Sequence, residues 1–238
     1  MPEKPELKKL CEPPAKGKAY YRPFICLENP DNIKVFLVGL NPATPIMEDE
    51  MNLDEYVNLI SDYDKFHGYY KKKRKDNNKP ELSKTRAAII SFVRWLKSKT
   101  DVSIAETNII PYPTENAQQL KREDESIHKR GKEIFYELLM FYKPSLLILH
   151  GKSTIDLILS CLKEKGLEVQ DNNSIDKLRA LQYSNVSEWP KFAYSDGNTC
   201  SIIAYRHFIY YGPNGKKTNQ FLNVVEDLLR TQGLLSKK

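Results

Sequence analysis

Lys34-Val35-Phe36-Leu37-Val38-Gly39-Leu40-Asn41-Pro42 is an apolar run that stops abruptly in a glycine, an amide and a proline. Its β-branched character and its bounding turn residues predict a buried strand that delivers Asn41 to the open edge of a sheet. The pattern recurs three times. Glu106-Thr107-Asn108-Ile109-Ile110-Pro111 carries Asn108, Leu146-Leu147-Ile148-Leu149-His150-Gly151 ends on His150, and Ser201-Ile202-Ile203-Ala204-Tyr205-Arg206-His207 ends on His207.

Helical patterns separate these runs. Apolar spacing predicts helices near 53–62, over 83–99 with Ser83 at its start and Ala87, Ile90, Val93 or Arg94, and Leu96 along one face, over 124–142, over 152–164 and over 218–232. Strands joined by connections of this length must lie mainly parallel, because parallel neighbours need crossovers, and those crossovers are right-handed. Parallel strands share one carboxyl edge, so Asn41, Asn108, His150 and His207 are expected to converge where ligands enter open α/β sheets. The remainder reads as an irregular lead-in over 1–32, a long connection over 43–83, and a polar stretch over 166–199 with room for a short hairpin. A single domain spanning 1–238 is expected.

The four motifs, in this order across roughly residues 33–229, resemble the uracil-DNA glycosylase superfamily. Gly39-Leu40-Asn41-Pro42 is most similar to the branches that use Asn after a Gly-X pair. Two positions depart from the pattern: Ala43 stands where Gly usually follows Asn-Pro, and Phe208-Ile209 stands where Pro-Ser often follows the late histidine. The resemblance implies a three-layer α/β/α sandwich around a central, mainly parallel four-stranded sheet. It also implies removal of uracil or a related damaged pyrimidine by base flipping and hydrolysis of the N-glycosidic bond, with no cofactor and no metal.

Carried over residue by residue, the resemblance makes Asn41 the water-positioning group and His207 a donor to the oxygen on which leaving-group charge accumulates. Asn108 would read the pyrimidine edge, where an amide offers one acceptor and one donor side. Gly39 and Leu40 would supply backbone to the base pocket, with Phe66 as a stacking ring. Phe208, Ile209 or Tyr210 would form a wedge that fills the place of the extruded base. Lys152 and Ser153 open a helix whose amides favour a phosphate, and Lys216 and Lys217 add cations near the late motif. His150 shares the strand-end geometry but reads as a structural residue.

The 238 residues carry a net charge of +6, with 40% hydrophobic and 29% charged residues, which fits a globular protein with a full core. No apolar run approaches the roughly 18–20 residues that span a bilayer, and the first residues lack a signal-peptide core, so an intracellular location is expected: cytoplasm or nucleoid, or nucleus in a eukaryote. A monomer is expected, with uracil-containing or mismatched DNA as partner and no membrane association. The block Tyr69-Tyr70-Lys71-Lys72-Lys73-Arg74-Lys75 suits phosphate neutralisation or a solvated loop. Cys11, Cys26, Cys161 and Cys200 lack metal-ligand spacing and read as reduced, partly buried thiols. Two other readings stay open: a non-catalytic nucleic-acid or modified-base binding module on the same fold, and a nucleotide- or nucleoside-processing enzyme using the same crevice.

Overall fold

A computed structural model describes residues 6–28, 30–170, 172–181, 189–210 and 218–236. The fold is α/β, built on one six-stranded mixed sheet. In chain order the strands are β1 (Phe24–Leu27), β2 (Ile33–Gly39), β3 (Ser103–Asn108), β4 (Leu146–His150), β5 (Lys191–Ala193) and β6 (Thr199–Tyr205). Their spatial order is β1-β3-β2-β4-β6-β5. The strands anticipated from sequence are the inner four, and each is parallel to its neighbours within that set. The expectation of four strands is corrected by two antiparallel edges. β1, inside the supposedly irregular lead-in, pairs with β3, and β5 pairs with β6 as the short hairpin.

The chain leaves β2 for β3 on one side and returns to β4 on the other, which puts the switch in strand order at the carboxyl end of β2. Helices cover both faces. Phe36, Val38, Leu147, Leu149 and Ile202 pack against α6 (Glu125–Tyr142) and α7 (Lys152–Glu164) through Ile134, Phe135, Leu138, Ile155 and Ile158. On the opposite face, Val35, Leu37, Ile148, Ile203 and Tyr205 meet α2 (Leu53–Ile60), α3 (Tyr63–Asp76), α4 (Lys84–Lys97) and α9 (Asn219–Thr231). β2 and β4 are apolar in both directions because neither face of the sheet meets water. Each fully buried aliphatic or aromatic side chain here stabilises the fold by about 1.5–3 kcal/mol before entropy is counted.

Local chemistry fixes the helix starts. Asn52 and Glu55 form a reciprocal capping box on α2, Asp62 accepts from Lys65 N on α3 (3.0 Å), and Ser83 accepts from Arg86 N on α4 (3.1 Å). Within α4 the buried face is Ile89, Phe92, Val93 and Leu96, so Val93 and Leu96 fall on the expected stripe, while Ile89 replaces Ile90 and Ala87 is exposed. The basic block is the end of α3 rather than a loop. Two short helices, α1 (Leu7–Cys11) and α5 (Ala117–Leu120), and a further helix, α8 (Asn172–Ala180), were not evident from the periodicity. All four cysteines are buried and form no disulfide. Among the described residues no helix is long and apolar enough to cross a membrane.

Candidate active site

Side chains alternate along a strand, so Leu37 and Gly39 on β2 share a face with Glu106 and Asn108 on β3, and with Ile148 and His150 on β4. The register places Asn108 beside Gly39, Leu149 beside Val38 and Tyr205 beside His150. Asn108, Gly39, His150 and Tyr205 therefore form one row across the carboxyl ends of four parallel strands. Glycine is required within this row by close approach: a β-carbon on Gly39 would stand 2.7 Å from Asn108 Oδ1 and 2.8 Å from His150 Nε2. Both polar atoms thus reach over the same backbone point.

Asn108 and His150 of this row line a cavity of about 580 Å³, whereas Gly39, expected to supply backbone to the base pocket, lies buried beneath them outside its lining. Leu40, Asn41, Pro42 and Ala43 wall the cavity beyond β2, Glu115 and Ala117 beyond β3, and Gly151, Lys152, Ser153 and Thr154 beyond β4, together with His207. Three distant motifs thus bring Asn41, Asn108 and His207 to one cavity, together with Leu40, Lys152 and Ser153.

Asn41 is held by polarity. Thr114 Oγ1, on a residue only 1% exposed, donates to Asn116 O (2.9 Å), so its lone pair receives Asn41 Nδ2 (2.8 Å). The amide must then present Oδ1, an acceptor, on its other side. The loop that carries Asn41 is clamped from below by Arg22, a buried residue whose guanidinium donates to Ala43 O (3.0 Å) and Thr44 O (2.7 Å). Thr44 has φ +68°, a conformation that needs such external support in a residue other than glycine. Arg22 N also donates to Pro111 O (2.7 Å), so one residue ties the loop after β2 to the loop after β3.

His207 Nδ1 accepts from Ile209 N (3.3 Å), which places the ring proton on Nε2 when the imidazole is neutral. Desolvation holds His207 below the ordinary imidazole value, so the neutral donor persists near neutrality. His150 lies 5.8 Å away, edge to face, and 5.1 Å from the Phe208 ring. Burial first, then the neighbouring His207 and Arg86, push His150 down to about 3. Its Nδ1 and the Thr154 hydroxyl are buried without a hydrogen-bond partner among the described residues.

Behind Asn108 the wall is ionic. Glu106, 8% exposed within β3, accepts from Tyr63 OH (2.8 Å) and from Arg86 Nη1, and both Glu106 and Arg86 line the cavity. Tyr70, Arg74 and Ser83 continue the wall. Lys73 instead pairs with Glu50, while Lys71, Lys72 and Lys75 stand exposed on α3.

Two aromatic assignments are not supported. Phe66 is 1% exposed and packs under the Arg22 guanidinium at 4.7 Å, outside the cavity wall, because helix α3 turns it into the core. Phe208 is fully buried against Phe92 (5.0 Å) and Tyr205 (5.6 Å). Its neighbours Ile209 and Tyr210 are 50% and 61% exposed, and Arg206 lies over the Tyr210 ring at 5.4 Å. Lys216 and Lys217 lie outside the described residues. Sequence reading missed Arg22, Thr114, Arg86 and Glu106. Only Glu106 left a signal, a carboxylate inside an apolar strand that demands a partner.

No family model matches the chain, and no curated protein matches it.

Proposed function

We propose that this protein is a DNA glycosylase that removes uracil or a related damaged pyrimidine. The observation that carries this reading is the meeting of Asn41, Asn108 and His207, from three separate strand ends, around one cavity of about 580 Å³. The helices on both faces of the sheet suit the three-layer α/β/α sandwich of the uracil-DNA glycosylase superfamily.

In this reading the target base leaves the stack and enters the cavity with its edge toward Asn108. Asn108 reads its edge. Asn41 Oδ1, aimed by Thr114, orients a water toward the sugar carbon. The water oxygen bonds to that carbon as the bond to the base nitrogen breaks, the electron pair departs with the base, and the proton shed by the water passes to solvent or to the departing base. His207 Nε2–H donates to the oxygen that gains this charge, a contribution of about 3 kcal/mol for one preorganised donor. An amide cannot take a proton as a carboxylate can, so turnover should be slow. Exposed Ile209 and Tyr210 suit the wedge, and Lys152 with Ser153 at the start of α7 suits a flanking phosphate.

Incubation with uracil-containing single- and double-stranded oligonucleotides, followed by alkali, should give strand breaks that Asn41→Ala abolishes. Intact strands from every uracil, mismatch and deaminated-base substrate would contradict the reading. The Glu106–Arg86 pair in the cavity wall favours a second reading, a nucleotide- or nucleoside-processing enzyme. Base release from free nucleosides but not from DNA would select it.

A further inference from the structure

We propose that His150 is a second reader of the base edge, acting beside Asn108 where the two side chains converge over Gly39. The inference rests on the glycosylase reading and adds to it a residue that the sequence pattern leaves as structural.

Three observations carry it. The register puts His150 on the same face and in the same row as Asn108, one strand to the other side of Gly39. The Asn108 Oδ1 and His150 Nε2 atoms stand 2.7 and 2.8 Å from a single point above Gly39, so the two converge over that glycine, and a base edge that reaches them from the cavity meets both. His150 also lines the cavity, while its Nδ1 is buried without a partner among the described residues. A phenyl ring would fill the same space against Phe208 and avoid that unpaired nitrogen, so packing alone does not account for an imidazole here.

The chemistry selects an imide edge. An amide oxygen accepts from the base N3–H, and an imidazole Nε2–H donates to the adjacent carbonyl; together they complement the –CO–NH– of uracil and oppose the amino group of cytosine. Burial and His207 keep His150 neutral, which fixes it as a single donor. The two histidines then divide the labour: His207 meets the oxygen that gains charge, and His150 reads the ground-state edge with Asn108.

The experiment compares wild type, His150→Phe and His150→Asn on two DNAs of one sequence, one with uracil and one with a tetrahydrofuran abasic analogue. Removing one edge contact should lower kcat/KM on uracil about 5- to 150-fold in His150→Phe. Affinity for the abasic DNA should be unchanged, because no base edge is present, and His150→Asn should recover part of the rate. Equal losses on both DNAs, or wild-type kcat/KM in His150→Phe, would overturn the role while leaving the glycosylase reading intact. If wild type releases no base at all, free uracil serves as the probe in ¹⁵N spectra of the histidine rings. A shift of the His150 Nε2 resonance then supports the contact, and an unmoved resonance overturns it.

Discussion

Replacing Gly39 by alanine separates the site from the fold. The added β-carbon would stand 2.7 Å from Asn108 Oδ1, 2.8 Å from His150 Nε2 and 3.0 Å from His150 Cε1, so the tips of both side chains must withdraw by several tenths of an ångström. The backbone itself accepts alanine, since Gly39 is not among the residues with positive φ. Overpacking costs about 1–3 kcal/mol, and alanine recovers about 0.5–1 kcal/mol over glycine in a strand. The net loss is then at most about 2.5 kcal/mol, or roughly 5–10 °C in Tm for a chain of this size. Catalysis should suffer far more. Asn108 can swing its terminal amide, but the His150 ring is wedged between His207 and Phe208, and a misplacement approaching 1 Å costs about 10²-fold in rate. Single-turnover cleavage of a uracil oligonucleotide, with a circular-dichroism melt on the same preparation, measures both quantities. A folded Gly39→Ala variant with activity within about threefold of wild type would show that Asn108 and His150, packed over this residue, do not hold the base.

Other consequences follow from the same geometry. Thr114→Val removes the acceptor that orients Asn41 and should lower kcat about tenfold with little change in DNA affinity, read from single-turnover rates against binding isotherms. Arg86→Met strands the Glu106 carboxylate and should cost about 3–5 kcal/mol in urea denaturation, whereas Arg86→Met with Glu106→Leu should recover much of it in a double-mutant cycle. His150 is held below its unfolded value, so the unfolded chain binds its proton first as pH falls. Its contribution is complete above about pH 6.5 and is lost as pH drops from there toward about 3, amounting to about 1–2 kcal/mol by pH 5. His150→Phe should accordingly flatten the decline in stability between pH 6.5 and 5, measured by denaturant midpoints.

What the chain reveals by itself follows the length of its patterns. The inner strands were legible because Val35 to Val38 and Leu146 to Leu149 are apolar on both faces, and α6, α7 and α9 because their stripes persist over three turns or more. Phe24–Leu27 and Lys191–Ala193 were obscured since strands of four and three residues show too few alternations. The second half of α3 is mostly lysine, so its helical state comes from the Asp62 cap and from Phe66 and Tyr70 packing inward. At the site, strand-end polar residues converged as topology requires. Phe66 did not, because one turn of helix decides whether a ring faces cavity or core. Arg22 and Thr114 act through contacts 21 and 73 residues distant in sequence, which no local pattern encodes.

The most direct measurement is the mass of a single-stranded oligonucleotide carrying one uracil before and after incubation with the protein. The strand is expected to lose uracil and gain water, leaving an abasic sugar, with free uracil recovered in equal amount and neither product formed by Asn41→Ala. A strand of unchanged mass after prolonged incubation, in a protein shown to bind that strand, would contradict the claim that these strand ends form a hydrolytic site.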